Sequence, residues 1–317
     1  MEKRILGRTN LSVAPLTFGG NVFGWTIDEK QSFELLDAFS ARGFNFIDTA
    51  DVYSRWKPGN TGGESETIIG NWMKKRGNRN KVVIATKVGA DMGQGKKDLS
   101  KKYIIKAAED SLLRLQTDHI DLYQTHWDDD SIPVEETLDA YARLIKDGKV
   151  NWIGASNLSP QRLTASLAAS RKYNYPAYQT FQPHYNLYER KVFEKELEQI
   201  CLDNQLGVLN YYSLASGFLS GKYRGEADLA KSARGAGIKK YLDERGLAIL
   251  KALDEVALET NTSPATVALA WLMARPSVTA PIASATSIEQ LNELMEAAEL
   301  QLNENAIALL DKASSWE

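Results

Sequence analysis

Four polar residues stand where predicted β-strands end or just beyond, and their types suit one kind of chemistry. Asp48, Lys87 and His126 each close a predicted strand, and Tyr53 follows Asp48 by five residues. A tyrosine hydroxyl has a reference pKa of about 10, which is high for acid–base work at neutral pH. A nearby ammonium lowers that pKa, and an aspartate holds the ammonium charged. With a histidine to hydrogen-bond the substrate, the set predicts proton donation to a carbonyl oxygen that gains negative charge.

Proton donation is only half of a reaction, and the set contains no nucleophile–base pair such as Ser–His or Cys–His to supply the other half. No side chain donates hydride, so hydride transfer from a nicotinamide is the natural complement. A second chemistry stays open, in which Lys87 forms a Schiff base with a carbonyl substrate, as in an aldolase. That reaction requires an unprotonated lysine, which a neighbouring Asp48 disfavours.

Alternating β-like and helical runs must position these residues. Candidate strands end near residues 19, 48, 87, 126, 156, 182, 211 and 282, with helical runs between them. Eight such units predict a closed (β/α)8 TIM barrel, in which the carboxyl ends of the strands carry the site. A doubly wound sheet is disfavoured, because residues 19–24 do not form the G-x-G-x-x-G turn. Residues 217–222 resemble a phosphate-binding P-loop but are one residue short and lack its Ser/Thr.

The predicted barrel carries additions at both ends. A turn signal at Thr9-Asn10 predicts a β-hairpin before residue 14. Asp28 caps a helix over 29–41, Ser100 caps one that ends near Leu115, and a further helix is expected over 191–204. Additional C-terminal helices are expected near 243–259, 264–274 and 287–298. We therefore expect a single barrel domain over residues 1–317.

Composition excludes several classes of protein. The 317 residues carry 38 Lys and Arg against 41 Asp and Glu, and a net charge of −3 argues against a nucleic-acid groove. Cys201 is the only cysteine and there are three histidines, which excludes disulfides and zinc-finger or iron–sulfur ligation; we predict no metal site. No apolar run approaches the roughly 18 residues of a membrane span and no signal peptide is seen, so we expect a cytoplasmic protein without a membrane partner.

Four separated motifs resemble the signatures of the aldo-keto reductase family, in that family's order and spacing. The resemblance covers nearly the whole chain, and it implies a barrel that reduces a small-molecule aldehyde or ketone with a nicotinamide cofactor. It also implies that Tyr53 is the proton donor, completed by Asp48, Lys87 and His126. The motifs are Phe46-Ile-Asp-Thr-Ala-Asp-Val-Tyr53, Thr86-Lys87, Asp121-Leu-Tyr-Gln-Thr-His126 and Gly154-Ala-Ser-Asn157.

The same resemblance assigns the cofactor contacts. Ser156, Asn157 and Gln182 match residues that hold the nicotinamide carboxamide, and hydroxyl and amide groups suit its donors and acceptors. Tyr211 matches the aromatic residue that stacks on the nicotinamide ring. The loop over 214–224 resembles the one that wraps the pyrophosphate, where basic side chains supply charge. The full set is Gly19, Gly20, Asp48, Ser156, Asn157, Gln182, Tyr211, Leu214, Ser216, Gly217, Leu219, Gly221, Lys222, Arg224, Ser284, Thr286, Gln290 and Glu293.

The stretch after the last strand departs from the family. Many members grip the adenosine 2′-phosphate there with Lys or Arg, whereas residues 282–293 contain no basic residue. Ser284, Thr286 and Gln290 can hydrogen-bond a phosphate, aided by a helix N-terminus, but without charge assistance. We expect NADP(H) from the resemblance, with NAD(H) as the alternative.

Three tryptophans follow predicted strand ends. Trp25, Trp56 and Trp127 are expected to line the substrate pocket, although packing beneath the loops is the alternative. His119 and His184 are expected to be structural. The resemblance also includes potassium-channel β subunits, so a non-catalytic protein that senses its cofactor is an alternative function. The sequence leaves the oligomeric state open.

Overall fold

Eight parallel strands form the centre of the structure, preceded by two short antiparallel ones. The computed structural model describes residues 1–231 and 235–316. The strands end where the polar residues of the predicted site begin, so they set its position. In chain order they are β1 (Arg4–Ile5), β2 (Ser12–Val13), β3 (Thr17–Gly19), β4 (Phe46–Asp48), β5 (Val83–Val88), β6 (Ile120–Thr125), β7 (Val150–Ser156), β8 (Thr180–Gln182), β9 (Gly207–Val208) and β10 (Ile282–Ala283).

The parallel strands close into a barrel. They pair in the order β10-β3-β4-β5-β6-β7-β8-β9. Backbone hydrogen bonds then join the two ends of this order. The Thr279 N–H donates to the Val208 carbonyl at 2.9 Å, and the Ile282 N–H donates to the Asn210 carbonyl at 3.0 Å. The prediction of a (β/α)8 TIM barrel is therefore confirmed.

The described residues form ten α-helices around the barrel, and several begin at the predicted caps. The Asp28 carboxylate accepts from the Gln31 N–H, and the Ser100 hydroxyl accepts from the Tyr103 N–H, which satisfies free donors of the first turn. The helices are α1 (Glu29–Ala41), α2 (Glu64–Arg76), α3 (Lys101–Leu115), α4 (Val134–Lys146), α5 (Pro160–Tyr173), α6 (Glu198–Asp203), α7 (Glu244–Thr260), α8 (Pro264–Met273), α9 (Ile288–Glu296) and α10 (Glu304–Ala313). Across the described ranges, none of the helices is long and apolar enough to cross a membrane.

The N-terminal hairpin that the turn signal predicted is present, and it covers the amino end of the barrel. Arg4 lies opposite Val13, and Ile5 lies opposite Ser12. Gly7 has a φ of +57°, and a Cβ at this position would meet the Gln179 carbonyl oxygen at 2.1 Å, so the close approach requires glycine. The hairpin packs onto one apolar cluster with side chains of the barrel strands: Leu6, Val13, Phe46, Val83, Ala85, Leu122, Leu209, Ala280 and Ile282.

Element boundaries differ from the prediction where the strands are short. The sequence predicts strands over 14–18, 178–181, 208–211 and 279–282, whereas the structure has β3, β8, β9 and β10 displaced by one to three residues at both ends. The helix predicted over 191–204 is divided into a π-helical turn, Phe193–Leu197, and α6. The strand ends differ because a run of apolar residues in the sequence indicates burial, and the buried residues are not the same set as those that form hydrogen bonds between strands.

Candidate active site

Three neighbouring strands bring the four predicted residues together at the carboxyl end of the barrel. Asp48 is the last residue of β4, Lys87 is the penultimate residue of β5, and His126 directly follows β6. The register places Asp48 opposite Ala85, and Lys87 opposite Gln124. Tyr53 comes from the loop between β4 and α2. The barrel topology therefore assembles side chains that are far apart in the sequence.

Lys87 is the centre of the site. Its side chain is fully buried, and Nζ donates to Asp48 Oδ2 at 2.5 Å, to the Thr49 carbonyl at 2.8 Å and to the Tyr53 hydroxyl at 2.8 Å. An ammonium has three donors, so all of them are used. Burial lowers the pKa of Lys87, and the Asp48 carboxylate opposes that shift.

Asp48 is oriented by two amides that the sequence pattern did not link to it. Its Oδ1 atom accepts from Gln182 Nε2 at 3.0 Å and from Gln124 Nε2 at 3.2 Å, while Oδ2 faces Lys87. Gln124 was not among the predicted site residues. The available signal was a polar side chain inside a buried strand, which must find a partner. The two amides fix the carboxylate that holds the lysine.

The pKa of Tyr53 moves opposite to the expectation. Lys87 was expected to lower it, but burial of the phenol raises it well above the usual value, and the Asp48 carboxylate raises it further. The physical reasons are that the phenol is shielded from water and that Asp48, 3.3 Å from the hydroxyl, neutralises the ammonium beside it. The site therefore holds Tyr53 as a protonated phenol.

His126 faces Tyr53 across the site as a neutral ring. Their ring centroids are 6.0 Å apart. Burial lowers the pKa of His126 well below its usual value, and the charge on Lys87 adds to this effect. A neutral imidazole carries one N–H donor and one acceptor. His126 is thus suited to hydrogen bonding rather than to carrying charge.

The three tryptophans surround these rings. Trp56 contacts both Trp25, at 5.5 Å between ring centroids, and Tyr53, at 5.9 Å. Trp127 stacks on His126 at 5.8 Å with 25° between the ring planes. Trp56 and Trp127 are 48 % and 40 % exposed, so they are not interior packing residues. The structure thus places aromatic walls beside Tyr53 and His126.

A second group of predicted residues lies beside His126. Asn157 Nδ2 donates to the His126 carbonyl at 2.9 Å, and Asn157 Oδ1 accepts from the Tyr211 hydroxyl at 2.8 Å. Ser156 Oγ donates to the Gln182 carbonyl at 2.8 Å. The His184 ring stacks on Tyr211 at 5.3 Å with 15° between the planes. His184 therefore supports the ring predicted to stack on a cofactor.

The loop over 214–224 contains the residues predicted to wrap the pyrophosphate. Residues 215–217 all have positive φ, which turns the backbone sharply. Leu219 is fully buried. Arg224 donates to both carboxylate oxygens of Asp254, at 2.6 and 2.7 Å, and to the Gly221 carbonyl, and Lys222 lies over the Tyr223 ring. The cofactor contacts of this loop stay a prediction.

The stretch after β10 packs against the first barrel strand. Ser284 Oγ lies 2.7 Å from the Gly19 carbonyl and 2.6 Å from Asn21 Oδ1, so Asn21, which was not predicted, joins this group. A Cβ on Gly19 would meet Ser284 Oγ at 2.6 Å, and one on Gly20 would meet Ser65 Oγ at 2.8 Å. Gln290 Oε1 accepts from the Thr286 N–H and hydroxyl, and Glu293 is exposed. These contacts keep the predicted polar residues at one edge of the site.

Comparison with known proteins agrees with this geometry. The model of the aldo/keto reductase family matches residues 15–315. The chain is 37 % identical to the uncharacterized oxidoreductase YrpG of Bacillus subtilis, over 98 % of this chain and 95 % of that protein. It is 33 % identical to the aldo-keto reductase YhdN of the same organism, over 93 % and 86 %, and 32 % identical to a probable voltage-gated potassium channel subunit beta of Arabidopsis thaliana, over 95 % and 92 %. With a match that spans nearly all of the barrel, this chain belongs to the aldo/keto reductase family of oxidoreductases.

Proposed function

We propose that the chain reduces an aldehyde or ketone to the alcohol, reversibly, with NAD(P)H as the source of hydride. The observation that carries this proposal is the Tyr53 hydroxyl, which lies 2.8 Å from the Lys87 ammonium. Family membership supports an oxidoreductase. The hydroxyl is the general acid that carbonyl reduction requires.

Each side chain has a different role in protonating the substrate oxygen. Tyr53 donates its proton, and its raised pKa keeps that proton in place until the carbonyl oxygen becomes basic. The Lys87 N–H then stabilises the phenolate, since a charge-assisted hydrogen bond is stronger than a neutral one. Asp48 keeps the lysine charged, and the neutral ring of His126 offers an N–H to the same oxygen.

The residues beside His126 fit a nicotinamide cofactor, which would supply the hydride when bound. Tyr211 is half-buried, and His184 stacks on one face of its ring; we propose that the opposite face stacks on the nicotinamide. Ser156 and Asn157 place a hydroxyl and an amide next to that ring, which suits a carboxamide. We propose that these residues, with Gln182, hold the nicotinamide.

We propose NADP(H) as the preferred form of the cofactor, with NAD(H) as the alternative. The family resemblance supports NADP(H). The lack of basic residues in 282–293 and the pairing of Arg224 with Asp254 support NAD(H). Dissociation constants for NADPH and NADH, measured by fluorescence titration, decide between them. A tighter constant for NADH would overturn the preference.

The proposed substrate is a small carbonyl compound with an aromatic or apolar body. Trp25, Trp56 and Trp127 supply walls for such a body beside the polar groups of Tyr53 and His126. Pockets of this composition bind ligands through apolar contact and orient them by a few polar groups. An aromatic aldehyde is therefore the first substrate to test.

The substitution Tyr53→Phe tests the proposed proton donor. Purified protein with NADPH or NADH and an aromatic aldehyde should oxidise the cofactor, which is followed by absorbance. We expect Tyr53→Phe to lower the rate about 100-fold to 10,000-fold, because general acid catalysis contributes on that order. The matched control is Tyr173→Phe, which removes the hydroxyl of an exposed tyrosine. The centroid of the Tyr173 ring lies 4.7 Å from the Lys172 ammonium, outside the proposed site. If Tyr53→Phe kept most of the activity, the assigned role would be wrong.

Two alternatives stand beside this proposal. A non-catalytic cofactor-binding protein draws support from the channel subunit among the relatives. It predicts tight cofactor binding without turnover of any carbonyl compound. A Schiff-base aldolase has less support, since all three donors of Lys87 already have acceptors. Borohydride trapping of a carbonyl substrate on Lys87 would favour it.

A further inference from the structure

Asp51 is a buried acid that the proposed reaction does not use. Its side chain lies in the loop between Asp48 and Tyr53 and is 2 % exposed. Among the described residues, neither carboxylate oxygen has a hydrogen-bond partner. Burial of an unpaired carboxylate is energetically costly. An aspartate in this position is therefore expected to be protonated and neutral, or to have a function that requires its charge.

The charges around Asp51 already balance without it. Asp48 pairs with Lys87 at 2.5 Å. On the other side, Glu66 pairs with Arg114 at 2.7 Å, and its second oxygen accepts from the Thr86 hydroxyl. Each pair is closed, and Asp51 is the fifth member of the cluster. The titratable and charged groups that face it are Glu66, Lys87, Tyr103, Arg114, Tyr123 and Tyr141.

Asp51 is also hydrogen-bonded to Lys87 through the backbone. The Asp51 N–H donates to the Lys87 carbonyl at 3.3 Å. The Asp51 side chain also interacts electrostatically with the Lys87 ammonium, which contacts Tyr53. An ionised Asp51 would add a second uncompensated negative charge to the cluster whenever Tyr53 became a phenolate, and like charges resist such a change.

We propose that Asp51 is a positioning residue, held as the neutral carboxylic acid, whose neutrality lets Tyr53 release its proton beside a charge-balanced cluster. Burial raises the pKa of Asp51 well above its usual value, and the Glu66 carboxylate raises it further, while Arg114 and Lys87 act in the opposite direction. The protonated state of Asp51 is independent of the reaction. Its effect on Tyr53 rests on the proposed function.

Infrared spectroscopy tests the protonated state directly. Wild-type protein at pH 7 should show the carbonyl stretch of a buried carboxylic acid, and that band should be lost in Asp51→Asn. The control Asp130→Asn removes an exposed carboxylate and should leave the band in place. Isotope-labelled aspartate shifts the band in wild-type protein, so the test does not depend on folding of the variant. Absence of the band at pH 7 would overturn the proposal.

The pH dependence of unfolding gives a second test. A folded pKa above the unfolded value means that unfolding releases a proton, so this contribution to stability is present below about pH 3.9 and is lost as pH rises towards the folded pKa. Relative to Asp51→Asn, the wild-type unfolding equilibrium constant should rise up to about tenfold per pH unit in that window. Parallel stability curves for the two proteins would contradict the proposal.

Turnover tests the link to Tyr53. We expect Asp51→Asn to keep kcat at pH 7 within about twofold and to weaken the alkaline loss of kcat, because the asparagine cannot ionise. An unchanged alkaline limb would overturn the positioning role. If the protein reduced no carbonyl compound at all, the proposed function would fail, whereas the infrared band and the unfolding curves would still decide the state of Asp51.

Discussion

Two buried ion pairs lie at opposite ends of the barrel and differ in what surrounds them. Lys87 and Asp48 meet at 2.5 Å at the carboxyl end, and Arg79 and Asp121 meet at 2.8 Å at the amino end. In both, a carboxylate on a barrel strand faces a cation. The distances are similar, and the Lys87 and Asp48 side chains are fully buried whereas those of Arg79 and Asp121 are 17 % and 9 % exposed. Neither distance nor burial by itself identifies a reactive pair.

The remaining partners separate the two pairs. Arg79 also donates to the carbonyls of Val82 and His119 and to the Thr117 hydroxyl, and Asp121 accepts from the Ile84 N–H. Most of these partners are backbone groups that require a hydrogen bond when buried, and the aliphatic hydroxyl of Thr117 is a far weaker acid than a phenol. Lys87 instead contacts the hydroxyl of Tyr53, which carries a transferable proton. The function of a buried pair therefore depends on its third partner.

The largest expected effect comes from removing the pair at the carboxyl end. The double variant Asp48→Asn/Lys87→Met should lower kcat/KM about 1,000-fold, since it removes the groups that hold and stabilise Tyr53. Its free energy of unfolding should change by only about 1 kcal/mol, because replacing a buried pair by neutral side chains is often nearly neutral. Activity assays and denaturant unfolding measure the two quantities. A large loss of stability with activity retained would reverse the comparison.

The next effect comes from removing the pair at the amino end. Arg79→Met/Asp121→Ala should lower the free energy of unfolding by about 3 kcal/mol, because backbone groups of Val82, Ile84 and His119 lose their partners. We expect kcat/KM to stay within about twofold at a temperature where the variant is folded. Loss of activity without loss of stability would show that the amino end takes part in the reaction.

The smallest effect concerns His126 and pH. Because the folded pKa lies below the unfolded value of about 6.5, the unfolded state binds a proton that the folded state does not, and stability falls as pH drops below that value. This one group contributes at most about 1.4 kcal/mol per pH unit. The slope should be reduced by that amount in His126→Gln, as thermal or denaturant unfolding from pH 5 to 7 would measure. Identical slopes would show that His126 is charged in the folded protein.

The sequence was most informative where the signal is local or where the barrel dictates geometry. Asp28 and Ser100 cap their helices as predicted, because an N-cap depends on a few adjacent residues. Asp48, Lys87 and His126 could be grouped from the sequence alone, since parallel strands of a barrel end at one face. These inferences require only the order of the elements.

Contacts between distant elements could not be predicted. The amide of Gln124 reaches Asp48 because of the register between β5 and β6. Arg224 pairs with Asp254 because α7 packs beside the loop. The pKa of Tyr53 depends on the distance to Asp48 and on burial, and neither quantity follows from spacing along the chain. Each of these outcomes depends on how elements pack in three dimensions.

The three tryptophans and the polar residues beside them lie on different kinds of element. Trp25, Trp56 and Trp127 lie on loops: Trp56 meets the Tyr53 ring edge-on, Trp127 stacks on the His126 ring, and Trp25 packs against Trp56. Asp48 and Lys87 stand on strands that the whole barrel holds in register. Under the proposed function, substrate preference can therefore change through exchange of the loops that carry the tryptophans, while the strands that hold Asp48 and Lys87 stay unchanged.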